Sequence, residues 1–400
     1  MVRRVSSSSS AAGTLWIASL ATALPCASVY MSQAIFPEIA AGLGVEAAEA
    51  RLAFTVTSSA YALAFFLFGP LSDRTSARTV GGLACIPLAG AHGLIATVDG
   101  FTGFLALATL VGVVAAAIPA AMYALVGRVV PQERLGAGMG MIIAASVVGV
   151  ILGRALAGMV AEAWGWRMAF LGMAGCYLVL LVALAFLPTE PAPADARPSV
   201  GRVFANGVRL LTDLRVVRLL AIGFLLFVGY LGVLSILTLR LYGAPFHYDA
   251  GQIGWLSLLG LVAVAGAPLA GRALPRLGAR VVLTGGLILV LAALALLAIA
   301  TGPLPLVLGI LLMFLGVFAC QPVMFTLLAA TVPPEAKGTS SSLYFLVCLG
   351  SGGISTAALG PIWSHAGWGG DWGGVIAAGS VAVSAALILA RWATRIAPTG

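Results

Sequence analysis

The chain has 400 residues, of which 61% are hydrophobic and only 8% charged, with a formal net charge of +8. A mean hydropathy of +1.10 excludes a soluble globular domain, in which about a quarter of residues carry charge. The basic balance reports membrane topology rather than nucleic-acid binding, because the basic residues are sorted to one side of the apolar segments.

Twelve apolar segments are predicted, at roughly 14–36, 53–71, 80–98, 103–127, 136–161, 168–187, 216–239, 252–271, 280–300, 304–330, 338–361 and 373–393. Each is close to the ~20 residues at 1.5 Å rise that a bilayer requires. None alternates apolar with polar residues as a barrel strand would. The fold class is therefore an all-α polytopic membrane protein.

Ahead of the first segment, Arg3-Arg4 and a Ser tract imitate a signal peptide, and Ala23 to Ser28 imitates a lipoprotein site at Cys26. Pro25 disfavours cleavage there and the apolar run continues past it, so the segment is read as an uncleaved first helix. With both termini cytoplasmic, 17 of the 21 Lys and Arg residues fall in cytoplasmic segments; Arg51, Arg167 and Arg240 are in outer loops and Arg154 is within a span. That bias predicts a multi-pass protein with the N- and C-termini inside, and the cell (inner) membrane is its expected location.

Between segments six and seven, Pro188, Pro191, Pro193 and Pro198 precede Arg202, Arg209 and Arg215. This stretch reads as a cytoplasmic linker, with an amphipathic surface helix expected over 200–214. The two sides of the linker repeat at an offset of 202 residues. Gly69, Arg74 and Arg78 recur as Gly271, Arg276 and Arg280; Pro131, Glu133 and Gly136 as Pro333, Glu335 and Gly338; Gly158 as Gly360; Gly165-Trp166 as Gly367-Trp368. Two matched sets of spans are the architecture of a secondary transporter. The expected organisation is a six-helix half at 1–187, a linker at 188–215 and a second six-helix half at 216–400.

The loop after segment two reads Gly69-Pro70-Leu71-Ser72-Asp73-Arg74-Thr75-Ser76-Ala77-Arg78. It resembles the loop signature of the major facilitator superfamily, with Ser76 and Ala77 in place of a usual Gly and a basic residue. In the second copy, Gly271 to Arg280, Pro275 replaces the acid. The resemblance implies twelve transmembrane helices in two pseudo-symmetric six-helix halves. It also implies a conformational latch at Gly69, Asp73, Arg74, Arg78, Gly271, Arg276 and Arg280. Segment five, with Gly149, Gly153 and Gly158, looks like the glycine signature of the drug:proton antiporters in the twelve-helix, arabinose-efflux-permease-like branch, and its spacing suits close helix contact.

Two departures from that pattern bear on mechanism. Arg154 stands where the antiporters carry Pro, about 27 Å along a core ~30 Å thick. An intramembrane Arg costs at least ~2.5 kcal/mol, so it is expected to face a wet cavity or a partner. Its repeat mate is Thr356, and no carboxylate lies at comparable depth. Ala108 stands where the antiporters carry an Arg implicated in proton transfer, leaving Glu38 and then Asp73 as proton-coupling candidates.

A cavity is expected between segments 1, 4, 7 and 10, with contributions from 2, 5, 8 and 11. Its candidate residues are Tyr30, Gln33, Tyr123, Arg154, Tyr230, Gln321 and Tyr344; Tyr61 and Trp255 also fall on these segments, and Pro119 and Pro322 are expected bends. So few amides disfavour a sugar, whose hydroxyls would need matching. The five cysteines and three histidines show no metal spacing, and no nucleotide-binding or hydrolase motif appears. An enzyme, a cofactor and an ATP-driven pump are not expected. The resulting expectation is a monomer exporting small amphipathic organic compounds, with protons as the coupling ion. The alternative is an importer or uncoupled facilitator of a small organic anion, suggested by Arg154 and by the missing coupling residues.

Overall fold

A computed structural model describes residues 8–72, 75–130, 132–187, 200–333, 336–364 and 371–393. Every element among the described residues is helical. The membrane helices are α1 (Ser8–Tyr30), α2 (Leu52–Ser72), α3 (Ala77–Ile95), α4 (Phe101–Val129), α5 (Gln132–Trp164) and α6 (Trp166–Leu184). After the linker come α7 (Leu214–Tyr242), α8 (250–277), α9 (279–299), α10 (Pro303–Thr331), α11 (Lys337–Ser364) and α12 (Trp372–Ala393).

All twelve expected segments are thus helical, in two six-helix halves. Ten helices among the described residues are long and apolar enough to cross a membrane. α3, outside that set, carries Arg78, Thr79 and His92. α8 contains a short 3-10 turn, Leu258–Gly260.

Local chemistry sets the breaks. The helix across Leu261–Ile299 turns at Gly278, whose φ of 78° only glycine adopts without strain, and this separates α8 from α9. At the matching point of the first half, Ser76 instead takes extended backbone ahead of α3. α4 breaks at Ala116, three residues before Pro119, where the proline ring removes a backbone donor. α7 contains a π-helical turn, Val228–Gly232, with Tyr230 at its centre.

The linker helix runs over Val200–Leu210, shorter than the expected 200–214. It stops because Asp213 caps the next helix, its carboxylate accepting from the Arg215 amide at 2.8 Å. A side chain added at Gly207 would meet Phe66 of α2 at 3.1 Å and Thr339 of α11 at 3.8 Å. The linker helix therefore lies across the rims of both halves, at what we term the linker end of the bundle.

Lipid supplies little hydrophobic force between helices, so small residues must let them approach. Gly149 and Gly153 of α5 press against Ala23 and Ala27 of α1; a Cβ at Gly153 would stand 2.5 Å from the Ala27 Cα. Gly316 of α10 is as close to α9, where its Cβ would stand 2.6 Å from the Gly286 carbonyl oxygen.

Candidate functional site

Between the two halves lies a cavity of about 390 Å³. Its wall is built by α2, α4, α5, α7, α10 and α11, from the middle of each helix toward the linker end, and by Cys26 and Tyr30 near the end of α1. Tyr30, Tyr61, Tyr123, Tyr230 and Tyr344 contribute five phenol rings, and Gln321 contributes one amide. Among the described residues, no Asp, Glu, Lys, Arg or His lines it. Both Pro119 and Pro322 are on the wall, so the bends of α4 and α10 occur where these helices border the open space.

Phenylalanines complete the wall. Phe65 meets Tyr123 edge-on at 6.3 Å and Phe345 at 5.8 Å, while Phe325 packs on Tyr344 at 5.1 Å and on Phe345 at 5.2 Å. These rings join α2 and α4 of one half to α10 and α11 of the other. Such a surface binds apolar and aromatic groups through area and ring geometry, and the ring faces attract cations.

At the opposite, far end the halves are in direct contact. Gln33 Nε2 donates to Ser235 Oγ at 2.7 Å. These two residues are repeat mates, 202 positions apart, so their contact lies on the pseudo-twofold axis. The Tyr242 hydroxyl donates to Glu38 Oε1. Arg51 Nε donates to the Thr356 carbonyl oxygen at 3.2 Å, tying α2 to α11. On the related side, α5 meets α8 so closely that a Cβ at Gly254 would stand 2.6 Å from the Ala155 carbonyl oxygen. The cavity is shut off at this end.

Glu38 is partly buried just beyond α1, in the short helix Phe36–Leu43. Burial holds its carboxyl above the ordinary value of 4.5, and the hydrogen bond from Tyr242 acts in the opposite direction. Its second oxygen, Oε2, is buried without a hydrogen-bond partner.

The structure divides the seven residues expected in the cavity. Tyr30, Tyr123, Tyr230, Gln321 and Tyr344 line it; Gln33 and Arg154 do not. Gln33 belongs to the far-end contact, because the chain leaves α1 at Tyr30 in a 3-10 turn, Met31–Ala34, that aims it at α7. Arg154 is buried, 6% exposed, in a separate small pocket against α7, α8 and α10. The Tyr230 ring forms the partition: it lines the cavity and packs at 5.7 Å on Phe314, which lines the Arg154 pocket. Trp255 faces away from the bundle interior, 60% exposed.

Of the latch residues, Asp73 and Arg74 lie outside the described residues. Gly69 is in the last turn of α2, Arg78 in the first turn of α3, and Gly271 within α8. Arg276 and Arg280 are exposed on either side of the Gly278 turn. Near the first loop, Arg128 at the end of α4 donates to the Thr75 carbonyl oxygen at 3.4 Å. Gly149 and Gly153 pack within the first half, whereas Gly158 packs between halves, against Ala250 and Gly254.

Sequence reasoning passed over Phe65, Phe325 and Phe345, because a phenylalanine in an apolar span gives no sign of which way it faces. Tyr242 was also missed. Its offset of 204 from Glu38, beside the 202 repeat, was a signal that the two lie near the axis.

Comparison with known proteins agrees with this architecture. The family model described as Major Facilitator Superfamily matches residues 18–357 and 233–399. The inner membrane transport protein YnfM of Escherichia coli (strain K12) is 32% identical over 364 residues, 89% of this chain and 84% of that protein. The probable transporter SCO4007 of Streptomyces coelicolor is 27% identical over 358 residues, 88% of this chain and 81% of that protein. An uncharacterized MFS-type transporter of Bacillus subtilis, YybF, is 24% identical over 66% of each chain. Among solved structures, a POT family transporter in complex with 5-aminolevulinic acid superposes with a TM-score of 0.77 at 13% identity, covering 96% of both chains. The nucleoside transporter NupG superposes at 0.75 with 14% identity, covering 96% of this chain and 99% of that one.

Proposed function

The chain belongs to the major facilitator superfamily, and we propose that it exports small amphipathic organic compounds in exchange for protons. It is a membrane transport protein rather than an enzyme. In the proposed cycle, halves 1–187 and 216–400, joined by the linker 188–215, rock about the cavity to expose it alternately to the two sides. The observation that carries the substrate class is the cavity wall, apolar and rich in phenol and phenyl rings, with a single amide and no charged group among the described residues. A volume of about 390 Å³ is within the ~300–1,000 Å³ of small-molecule sites. Such a wall rewards ring and hydrocarbon burial while offering hydroxyls for a few hydrogen bonds, and it would leave most sugar hydroxyls unmatched.

The linker end is taken as cytoplasmic in the cell (inner) membrane, from the sorting of the basic residues. On that reading the far-end closure faces the outside, as it does in the state in which an exporter loads. Glu38 is the proposed proton carrier, with Asp73 second. Glu38 bridges the halves through Tyr242, and its burial favours the protonated form, so opening the far end would rehydrate the carboxyl and change its proton affinity. Asp73 and Arg74 are proposed to latch the linker end when the far end opens. The organic-anion alternative rested on Arg154, which is off the cavity wall.

Dye accumulation tests the reading, in cells stripped of their own exporters and expressing this chain. Lower accumulation of a fluorescent amphipathic cation, restored by Tyr123→Ala or Phe345→Ala, is the expected result. Unchanged accumulation of amphipathic cations and neutrals, with movement of organic anions instead, would overturn it.

A further inference from the structure

Arg154 reaches from α5 of the first half into a pocket formed by the second half. Its walls are leucine, isoleucine and phenylalanine side chains of α7, α8 and α10, with Thr238 and Ser257 as the polar groups on them. Arg154 is 6% exposed and Thr238 1% exposed, and both Arg154 Nε and Thr238 Oγ1 are buried without a hydrogen-bond partner. No carboxylate is on the pocket wall, and none pairs with Arg154 among the described residues. Ser257 donates its hydroxyl proton to the Ile253 carbonyl oxygen at 3.1 Å, so that proton is not offered to the void.

A guanidinium does not lose its proton in a protein. A full positive charge therefore sits among leucine, isoleucine and phenylalanine side chains with no countercharge among the described residues, and two adjacent polar groups remain unsatisfied. Burying an unpaired charge is among the costliest arrangements in a protein interior. The void beside it measures about 20 Å³, against the ~10–15 Å³ that one water needs on a comparable measure. The space is large enough for one water or one monatomic ion. A water would satisfy the Nε–H and the hydroxyl but leave the charge uncompensated; an anion does both.

We propose that the Arg154–Thr238 pocket binds a halide-sized inorganic anion, in practice chloride, bridging Arg154 Nε of the first half and the Thr238 hydroxyl of the second. Its donors come from α5 and α7, and its wall includes α8, whose contact with α5 closes the far end. Parting of the halves at that end would dismantle the site. Chloride is thus a ligand of the far-end-closed state and shifts the conformational balance toward it. The proposal does not depend on the direction of transport or on proton coupling.

Thermal unfolding of the purified full chain in detergent tests it, with sodium gluconate replaced by sodium chloride, bromide, acetate or sulfate at constant ionic strength. Chloride and bromide are expected to raise the unfolding temperature saturably by a few degrees, as a ligand of the native state does. Acetate and sulfate are expected to have no effect. The shift is expected to vanish in Arg154→Gln, to weaken in Thr238→Val and to persist in Thr238→Ser. Equal unfolding temperatures in chloride and gluconate would overturn the proposal, as would a chloride shift that survives Arg154→Gln. Stabilisation by acetate equal to that by chloride would overturn the halide assignment in favour of a carboxylate. If Arg154→Gln yields no folded protein, anomalous scattering from bromide-soaked crystals of the unaltered chain decides: a peak between Arg154 and Thr238 supports the site, and its absence there refutes it.

Discussion

Replacing Gly158 by alanine adds one methyl group at the far-end contact between α5 and α8. That methyl would run into the Ala250 carbonyl oxygen and stand 3.0 Å from the Gly254 Cα and 3.1 Å from its amide nitrogen. Carbon atoms prefer ~3.5–4.0 Å, so the two backbones must part by roughly half an ångström or more, and neither neighbour is a side chain that can rotate aside. Overpacking of this kind costs ~1–3 kcal/mol. The cost falls on the far-end-closed state alone, because the two helices belong to different halves and separate when that end opens. At 1.4 kcal/mol per tenfold, the population ratio moves by about 5- to 150-fold toward the far-end-open state.

Spin labels at the exposed positions Glu46 and His247, in a background without the five native cysteines, would report this by pulsed electron resonance as a gain in the long-distance population. Gly149→Ala is the control. Its methyl would stand 2.8 Å from the Ala23 Cα within the first half, so it is expected to lower folded yield without moving the distance balance. An unchanged distance distribution in folded Gly158→Ala protein would refute the reasoning, as would a Gly149→Ala distribution shifted equally.

The remaining expectations concern chemistry. Glu38→Gln is expected to abolish substrate-driven proton movement while leaving substrate-for-substrate exchange intact, measured in proteoliposomes. Because the native carboxyl binds its proton more tightly than the unfolded chain does, Glu38 stabilises the fold most fully below the unfolded value near 4.5. That contribution is lost as pH rises through the elevated native value. Relative to Glu38→Gln, the unaltered chain is therefore expected to lose thermal stability as pH rises across that window; parallel profiles would contradict the assignment. Phe345→Ala removes a ring packed on Phe65, Tyr123 and Phe325 and is expected to weaken binding of aromatic substrates about tenfold or more, read by equilibrium binding to detergent-solubilised protein. Asp73→Ala is expected to eliminate transport with membrane insertion unchanged, by immunoblot of membranes beside a flux assay.

The helical architecture was legible because the physics that dictates it is local: span length, absence of alternation and charge sorting are all written along one dimension. The two halves were legible through the 202 repeat, and that repeat held more than was read from it. Gln33 and Ser235 are mates, and mates on a pseudo-twofold axis must meet. What stayed hidden is direction around each helix. Trp255 and Tyr230 both fall on segments expected to border the cavity, yet one faces outward and the other partitions the interior. In a lipid-facing helix apolar residues occupy every side, so periodicity cannot separate the wet face from the dry one. Arg154 is buried, but its depth along α5 could not show that Tyr230 stands between it and the main cavity.

The central claim is exchange of amphipathic compounds for protons, and inverted membrane vesicles carrying a pH-sensitive dye test it most directly. With a pH gradient imposed, amphipathic cations, neutral compounds and organic anions are added in turn. A substrate-dependent collapse of the gradient by amphipathic compounds, absent in Glu38→Gln and Asp73→Ala vesicles, is the expected result. A gradient that no amphipathic compound disturbs, in vesicles shown to take up those same compounds, would contradict it and leave an uncoupled facilitator.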